Sequence, residues 1–135
     1  GIQVGCDTGY PVEACDVIYG TLEERFGIRF DVVADSENIR GRPTPFLVYD
    51  CMYKANAYPP AAVVKGDDIT AGIHEGVNSG AWTVGIYETG AHDRETLENA
   101  GAHFCVAAVR DIPDLIHSEI NPRLERGELP GEFTS

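Results

Sequence analysis

The segment AVVKGDDITAGIHEGVNSGAWTVGI, residues 62–86, decides the fold. It contains two short apolar runs, residues 62–65 and 82–86, each of a length typical of a buried strand. Between them, Ile73 and Val77 have the spacing of one helix face, which predicts a helix over residues 69–79. A strand, a helix and a second strand in this order predict two parallel strands joined by the helix.

The same alternation extends through the rest of the chain. Predicted strands cover residues 2–5, 30–33, 62–65, 82–86 and 103–107, and predicted helices cover residues 12–26, 45–55, 69–79, 94–100 and 112–126. Residues 127–135 are expected to form a tail. This order is typical of the α/β class, with a three-layer, Rossmann-like parallel sheet covered by helices on both faces. Without a repeat or a linker, residues 1–135 are expected to form a single domain.

The charge balance excludes two classes of partner. The chain has 22 acidic and 10 basic residues, for a net charge of −12. Nucleic acids and anionic membranes both require a positive surface, so neither is an expected partner. A phosphate or phosphonate small molecule can still bind where local cations, helix N-termini or a metal overcome the overall negative field.

The hydropathy, the first residues and the cysteines of the chain indicate its expected cellular location. No apolar run approaches the ~20 residues that span a bilayer, and the first five residues lack the charged region of a signal peptide. The chain opens on an apolar segment without an initiator Met, so we expect a preceding segment that has been removed or is not included. Its four cysteines have no metal-binding spacing and are expected to be free thiols in a reducing cytoplasm.

Polar residues follow three of the predicted strands. Asp7 and Thr8 follow the first strand, Arg42 lies in the loop beyond the second, and Asp67 and Asp68 follow the third. In parallel α/β sheets, ligands bind beyond the carboxyl ends of the strands. These residues are therefore the candidates for a site. The four histidines share no ligand spacing, and His103 and His117 are expected to be structural.

Five sequence motifs together resemble one enzyme family. They are GCDTGY (5–10), GRPTPF (41–46), YPPAAVVK (58–65), EGVNSGAWTVG (75–85) and GAHF (101–104). In this order and at this spacing they are similar to the C-terminal core portion of the phosphonoacetaldehyde hydrolase family, a branch of the haloacid dehalogenase superfamily. The resemblance implies Mg²⁺-dependent cleavage of a carbon–phosphorus bond, by an aspartate that attacks phosphorus and a cap lysine that forms a Schiff base with the aldehyde.

The resemblance also implies roles for individual residues. Arg42 matches the cation that binds the phosphoryl group, with a surface arginine as the alternative, and Thr8 keeps the hydroxyl of the family's second motif. Asp68 matches a Mg²⁺ ligand, with a helix-capping carboxylate as the alternative. Asp67, a second candidate metal ligand, replaces a glycine of the family, and Gly72 replaces a metal-supporting aspartate.

Other features depart from the family pattern. An unpaired carboxylate at Asp7 would repel a phosphate. Neither Lys54 nor Lys65 matches the cap lysine. The nucleophile strand and the helical cap belong before residue 1, and in the family that strand lies between the first and third strands predicted here. We therefore expect a homo-oligomer or a complementing segment to cover the open sheet edges.

Three functions remain compatible with the sequence. The first is a hydrolase core, active in the complete protein and inactive or nearly so as this chain alone. The second is a non-catalytic binding or interaction module descended from the same family. The third is a receiver-like domain that accepts phosphate on an aspartate, which the pair Asp67 and Asp68 allows but the order of the motifs does not favour.

Overall fold

The computed structural model describes residues 1–132 and contains five short parallel strands. The strands are β1 (Gly5–Thr8), β2 (Val32–Asp35), β3 (Val64–Asp67), β4 (Trp82–Ile86) and β5 (Phe104–Val106). The helices are α1 (Val12–Phe26), α2 (Phe46–Ala55), α3 (Thr70–Ser79), α4 (Arg94–Asn99), α5 (Ile112–Leu115) and α6 (Asn121–Glu125). The prediction of the α/β class is confirmed.

The strands form two separate sheets instead of one. β1 pairs with β2, and β3, β4 and β5 pair in that order, all in parallel. Among the described residues, β1 and β3 therefore each have one edge without a strand partner. This break lies between the first and third strands, where the resemblance expects a further strand.

Helices cover both faces of the sheets. On one face, Gly5 of β1 approaches Cys51 of α2, and Gly85 of β4 approaches Leu97 of α4. On the other face, Tyr19 of α1 contacts Cys6 of β1, and Ile112 of α5 lies against Gly66 of β3. Because neighbouring strand residues point to opposite faces, these contacts define the three layers that the sequence predicts.

The first three strands begin later than predicted. The sequence predicts strands at residues 2–5, 30–33 and 62–65, whereas the structure has them two or three positions further on. Pairing of backbone groups does not require apolar side chains, so the ladders continue into the polar residues that end each strand. As a result, Asp7, Thr8 and Asp67 lie within strands and not beyond them.

The last predicted helix is interrupted. A π-helical turn, Ile116–Ile120, separates α5 from α6. Pro122 has no N–H to donate to the carbonyl four residues earlier, which favours a local widening of the helix. Within the predicted tail, Pro130–Glu132 forms a 3₁₀ turn, and residues 133–135 lie outside the described part. No helix in residues 1–132 is both long and apolar enough to span a bilayer.

Candidate functional site

A group of charged side chains joins the two sheets beside the break. This charged cluster consists of Asp7 on β1, Arg42 in the loop after β2, Lys65 and Asp67 on β3, and Glu75 on α3. Lys65 and Asp67 point to the same face because they are two residues apart on a strand. The cluster contains three carboxylates and two cations, so the opposite charges nearly balance.

Lys65 lies at the centre of the charged cluster. Its Nζ is 2.7 Å from Asp7 Oδ1, 3.0 Å from Asp67 Oδ2 and 3.3 Å from Glu75 Oε1. The side chain is only 10% exposed. A lysine ammonium has three N–H donors, and here three carboxylates on different parts of the fold surround it.

Arg42 contacts the same three carboxylates from the more open side of the cluster. Its Nη2 is 2.9 Å from Asp7 Oδ1 and 3.3 Å from Asp67 Oδ2, and its Nε is 3.5 Å from Glu75 Oε1. The side chain is 22% exposed, and its Nη1 group makes no hydrogen bond within residues 1–132. Arg42 is therefore not the isolated surface arginine of the alternative interpretation.

The pKa values of two carboxyls in the cluster, those of Asp7 and Glu75, shift in opposite directions. Burial alone would raise the pKa of Asp7, but the charges and hydrogen bonds of Lys65 and Arg42 outweigh it and lower that pKa. Burial raises the pKa of Glu75, the charge of Asp7 raises it further, and Lys65 and Arg42 only partly offset this. Glu75 is fully buried, and its Oε2 has no hydrogen-bond partner among the described residues.

Asp67 occupies the space next to Gly72. A Cβ placed on Gly72 would overlap the carboxyl group of Asp67. The carboxyl is fixed there because its Oδ1 accepts the N–H groups of Asp68 and Ile69, at 2.9 and 3.2 Å, while Oδ2 faces Lys65. The two departures from the family pattern, Asp67 and Gly72, are therefore related, because the carboxyl of Asp67 occupies the space that a side chain at position 72 would need.

The structure separates the candidate residues of the sequence into two groups. Arg42 and Asp67 belong to the charged cluster, whereas Thr8 and Asp68 do not. Thr8 follows Asp7 on β1 and points to the opposite face, where its Oγ1 accepts the N–H of Tyr10 at 3.1 Å and it lines a cavity of about 170 Å³. The carboxylate of Asp68 makes no hydrogen bond or ion pair with the described residues, and α3 begins without a side-chain cap, so the helix-capping alternative does not apply to Asp68.

The charged cluster does not fit a magnesium site. Residues 1–132 contain no group of three or more His, Cys, Asp or Glu side chains arranged to hold a metal ion. The three carboxylates that come together, those of Asp7, Asp67 and Glu75, already surround the ammonium of Lys65. The predicted metal role therefore conflicts with the geometry at Asp67 and stays a prediction for Asp68.

Sequence reasoning did not place Lys65 or Glu75 in a site. Lys65 carries a charge in a strand that is otherwise apolar, and it precedes Asp67 by two positions, a spacing that puts both on one face. That pattern could have indicated a buried pair. Glu75 gave no comparable signal, because only the packing of α3 against β3 brings it to the cluster.

Comparisons with known proteins agree with this fold. The chain is 37% identical to a phosphonoacetaldehyde hydrolase from Syntrophobacter fumaroxidans, over 96% of the chain and 54% of the relative. A solved phosphonoacetaldehyde hydrolase-like protein from Oleispira antarctica is 30% identical, with a TM-score of 0.86 over 96% of the chain and 55% of that protein. Over nearly its whole length, the chain is similar to part of the phosphonoacetaldehyde hydrolases. No family model matches it.

This similarity covers only part of each relative. The chain spans about half the length of the curated relatives it matches. A HAD hydrolase from Entamoeba histolytica, 20% identical with a TM-score of 0.64 over 84% of the chain and 53% of that protein, has the same fold. The family resemblance that the motifs predicted is thereby confirmed.

Proposed function

We propose that the chain is the phosphoryl-binding part of a hydrolase that cleaves the carbon–phosphorus bond of phosphonoacetaldehyde. The main support is Arg42, which belongs to a motif of the family and has a donor group free for an anion. Its Nε and Nη2 are fixed by carboxylates, while Nη1 and part of the side chain are open. A guanidinium fixed along one edge is oriented for a phosphoryl oxygen before the ligand arrives.

The charged cluster accounts for the carboxylate at Asp7 in such a site. An unpaired aspartate would repel a phosphonate, but Asp7 is in direct contact with both Lys65 and Arg42. In the proposed site, Arg42 holds a phosphoryl oxygen and Lys65 keeps Asp7 neutralised. Thr8 would have to exchange its contact with the Tyr10 N–H for one with the ligand.

The bond-breaking groups of the proposed reaction come from outside this chain. The family's chemistry requires an aspartate that attacks phosphorus and a lysine whose iminium accepts electrons as the carbon leaves. No residue here matches either group, so we expect this chain alone to be inactive. Mg²⁺ in the complete protein would have Asp68 as its ligand from this chain, and the steps assigned here to Arg42 and Lys65 involve no metal.

A further strand is proposed to fill the break between the sheets. β1 and β3 have unpaired edges within the described residues, and unpaired strand edges favour pairing with another chain. The strand would come from a complementing segment or from a second copy of this chain. Sedimentation velocity over a range of concentrations tests the second copy: a dimer is expected, and a folded monomer throughout would exclude this source.

Binding of methylphosphonate, followed by ³¹P NMR line broadening, tests the anion site. Arg42→Gln is expected to weaken binding about tenfold, which corresponds to about 1.4 kcal/mol. Arg40→Gln, a matched charge change on an exposed residue of the same loop, should leave binding unchanged. Equal binding by both variants and the native chain would refute the role of Arg42. Circular dichroism spectra should verify that each variant is folded.

A non-catalytic binding or interaction module is the second candidate function. It is favoured by the near balance of charge within the charged cluster, which leaves few groups free for a ligand. Methylphosphonate binding that depends on Arg42 would favour the hydrolase part. No such binding, together with self-association, would favour the module.

A further inference from the structure

The charged cluster has the composition of a cation site whose cation is a side chain. Carboxylate oxygens from β1, β3 and α3 converge on one point, and the Nζ of Lys65 lies at that point, 2.7–3.3 Å from each of them. Hard divalent cations prefer such oxygen ligands. Here the ammonium already makes the contacts that an incoming cation would make.

Further contacts of Asp67 and Arg42 restrict how the carboxylates of the cluster could bind a metal ion. Oδ1 of Asp67 accepts the N–H groups of Asp68 and Ile69, just before α3, so only Oδ2 faces the centre of the cluster. Arg42 contacts the same oxygen atoms as Lys65, namely Asp7 Oδ1, Asp67 Oδ2 and Glu75 Oε1. Each of these three oxygens is therefore shared by two cations.

We infer that Lys65 is the resident cation of the charged cluster, and that Mg²⁺ does not bind there. Entry of Mg²⁺ would force the ammonium away from its three partners while its stem stays buried in β3. A buried charge without a partner is unfavourable. Mg²⁺ also requires octahedral oxygen ligands and retains several waters, which a cluster with side chains only 0–22% exposed does not provide.

The inference does not depend on the hydrolase activity, and the native chain can test it. Correlation ¹H–¹⁵N NMR detects a lysine ammonium when its protons exchange slowly with water. Lys65 should give such a signal, and Lys54, whose side chain is 45% exposed, should not. The Lys65 signal is expected to stay unshifted in millimolar Mg²⁺. A saturable shift or loss of the signal would overturn the assignment.

Removal of the ammonium gives a second test. In Lys65→Met, the three carboxylates lose their central cation, and binding of Mn²⁺, measured by water-proton relaxation, should increase at least about tenfold. Lys54→Met is the matched control and should not change it. Tight Mn²⁺ binding by the native chain that Asp67→Asn weakens would overturn the inference, whereas binding that only Asp68→Asn weakens would support it. If Lys65→Met does not fold, the NMR titration and the aspartate variants decide the question.

Discussion

Gly72→Ala is expected to destabilise the chain although alanine is a better helix former than glycine. An added Cβ at position 72 would overlap the carboxyl of Asp67. Asp67 cannot move away without losing its contacts with Lys65 and with two backbone N–H groups. Overpacking costs about 1–3 kcal/mol, and loss of a buried ion-pair partner costs about 3–5 kcal/mol.

The net effect follows from two opposing contributions. In an open helix position, replacing glycine by alanine contributes about 1 kcal/mol of stability. With the overlap, we expect Gly72→Ala to lower the free energy of unfolding by about 2 kcal/mol. In the Asp67→Gly background the obstacle is absent, so the same change should raise it by about 1 kcal/mol. The coupling between positions 67 and 72 is then about 3 kcal/mol.

Urea unfolding of the four proteins, followed by far-ultraviolet circular dichroism, measures this coupling. Gly20→Ala in α1 is the control, because a Cβ there meets no atom within 4 Å, and it should be stabilising. Gly72→Ala that stabilises equally in both backgrounds would refute the placement of Asp67 beside Gly72. It would also weaken the case for Lys65 as the resident cation, since Asp67 is one of its three partners.

Three other substitutions test the cluster and the core. The pKa of Asp7 is lowered below 3.8, so its ionised form stabilises the fold above that pH, and this contribution is lost as the pH falls through the folded pKa. Asp7→Asn should therefore lower the free energy of unfolding more at neutral pH than in acid, as measured by urea unfolding at several pH values. The pKa of Glu75 is raised above 4.5, so its ionisation lowers the stability of the native chain as the pH rises through the folded pKa. Glu75→Gln lacks this ionisation, so the stability of this variant should increase relative to that of the native chain as the pH rises. The same pH dependence for Asp7→Asn and Glu75→Gln would contradict these opposite shifts. Leu97 is fully buried, so Leu97→Ala should lower the free energy of unfolding by about 2–5 kcal/mol. Val17 is exposed, so Val17→Ala should change it by no more than about 0.5 kcal/mol. Thermal unfolding compares the two variants, and similar losses of stability would place Leu97 outside the core.

The local sequence pattern correctly predicted the helix and the strand whose bounds are marked by particular residue types. α1 has the predicted bounds, Val12–Phe26, because its apolar spacing is regular and Gly27 ends it in a left-handed conformation, with φ of 63°. β4 also has its predicted bounds, Trp82–Ile86, because every residue in it is buried. The first three strands were misplaced because their polar ends pair through backbone groups, which sequence hydrophobicity does not indicate.

The composition of the site was harder to predict than the fold. The motif around Arg42 indicated this arginine as a candidate site residue, but nothing local indicated that three carboxylates would contact it. Lys65 and Glu75 acquire their roles only when β3 and α3 pack beside β1. The departures at Asp67 and Gly72 were visible in the sequence, yet only the side-chain packing relates one to the other.

Phosphate release from phosphonoacetaldehyde tests the central claim that this chain lacks the groups that break the carbon–phosphorus bond. The purified 135-residue chain would be incubated with substrate and Mg²⁺, beside the Asp7→Asn and Asp68→Asn variants. No release above the uncatalysed background is expected from any of the three. Release by the native chain that either variant abolishes would contradict this claim, because a residue of this chain would then be taking part in catalysis.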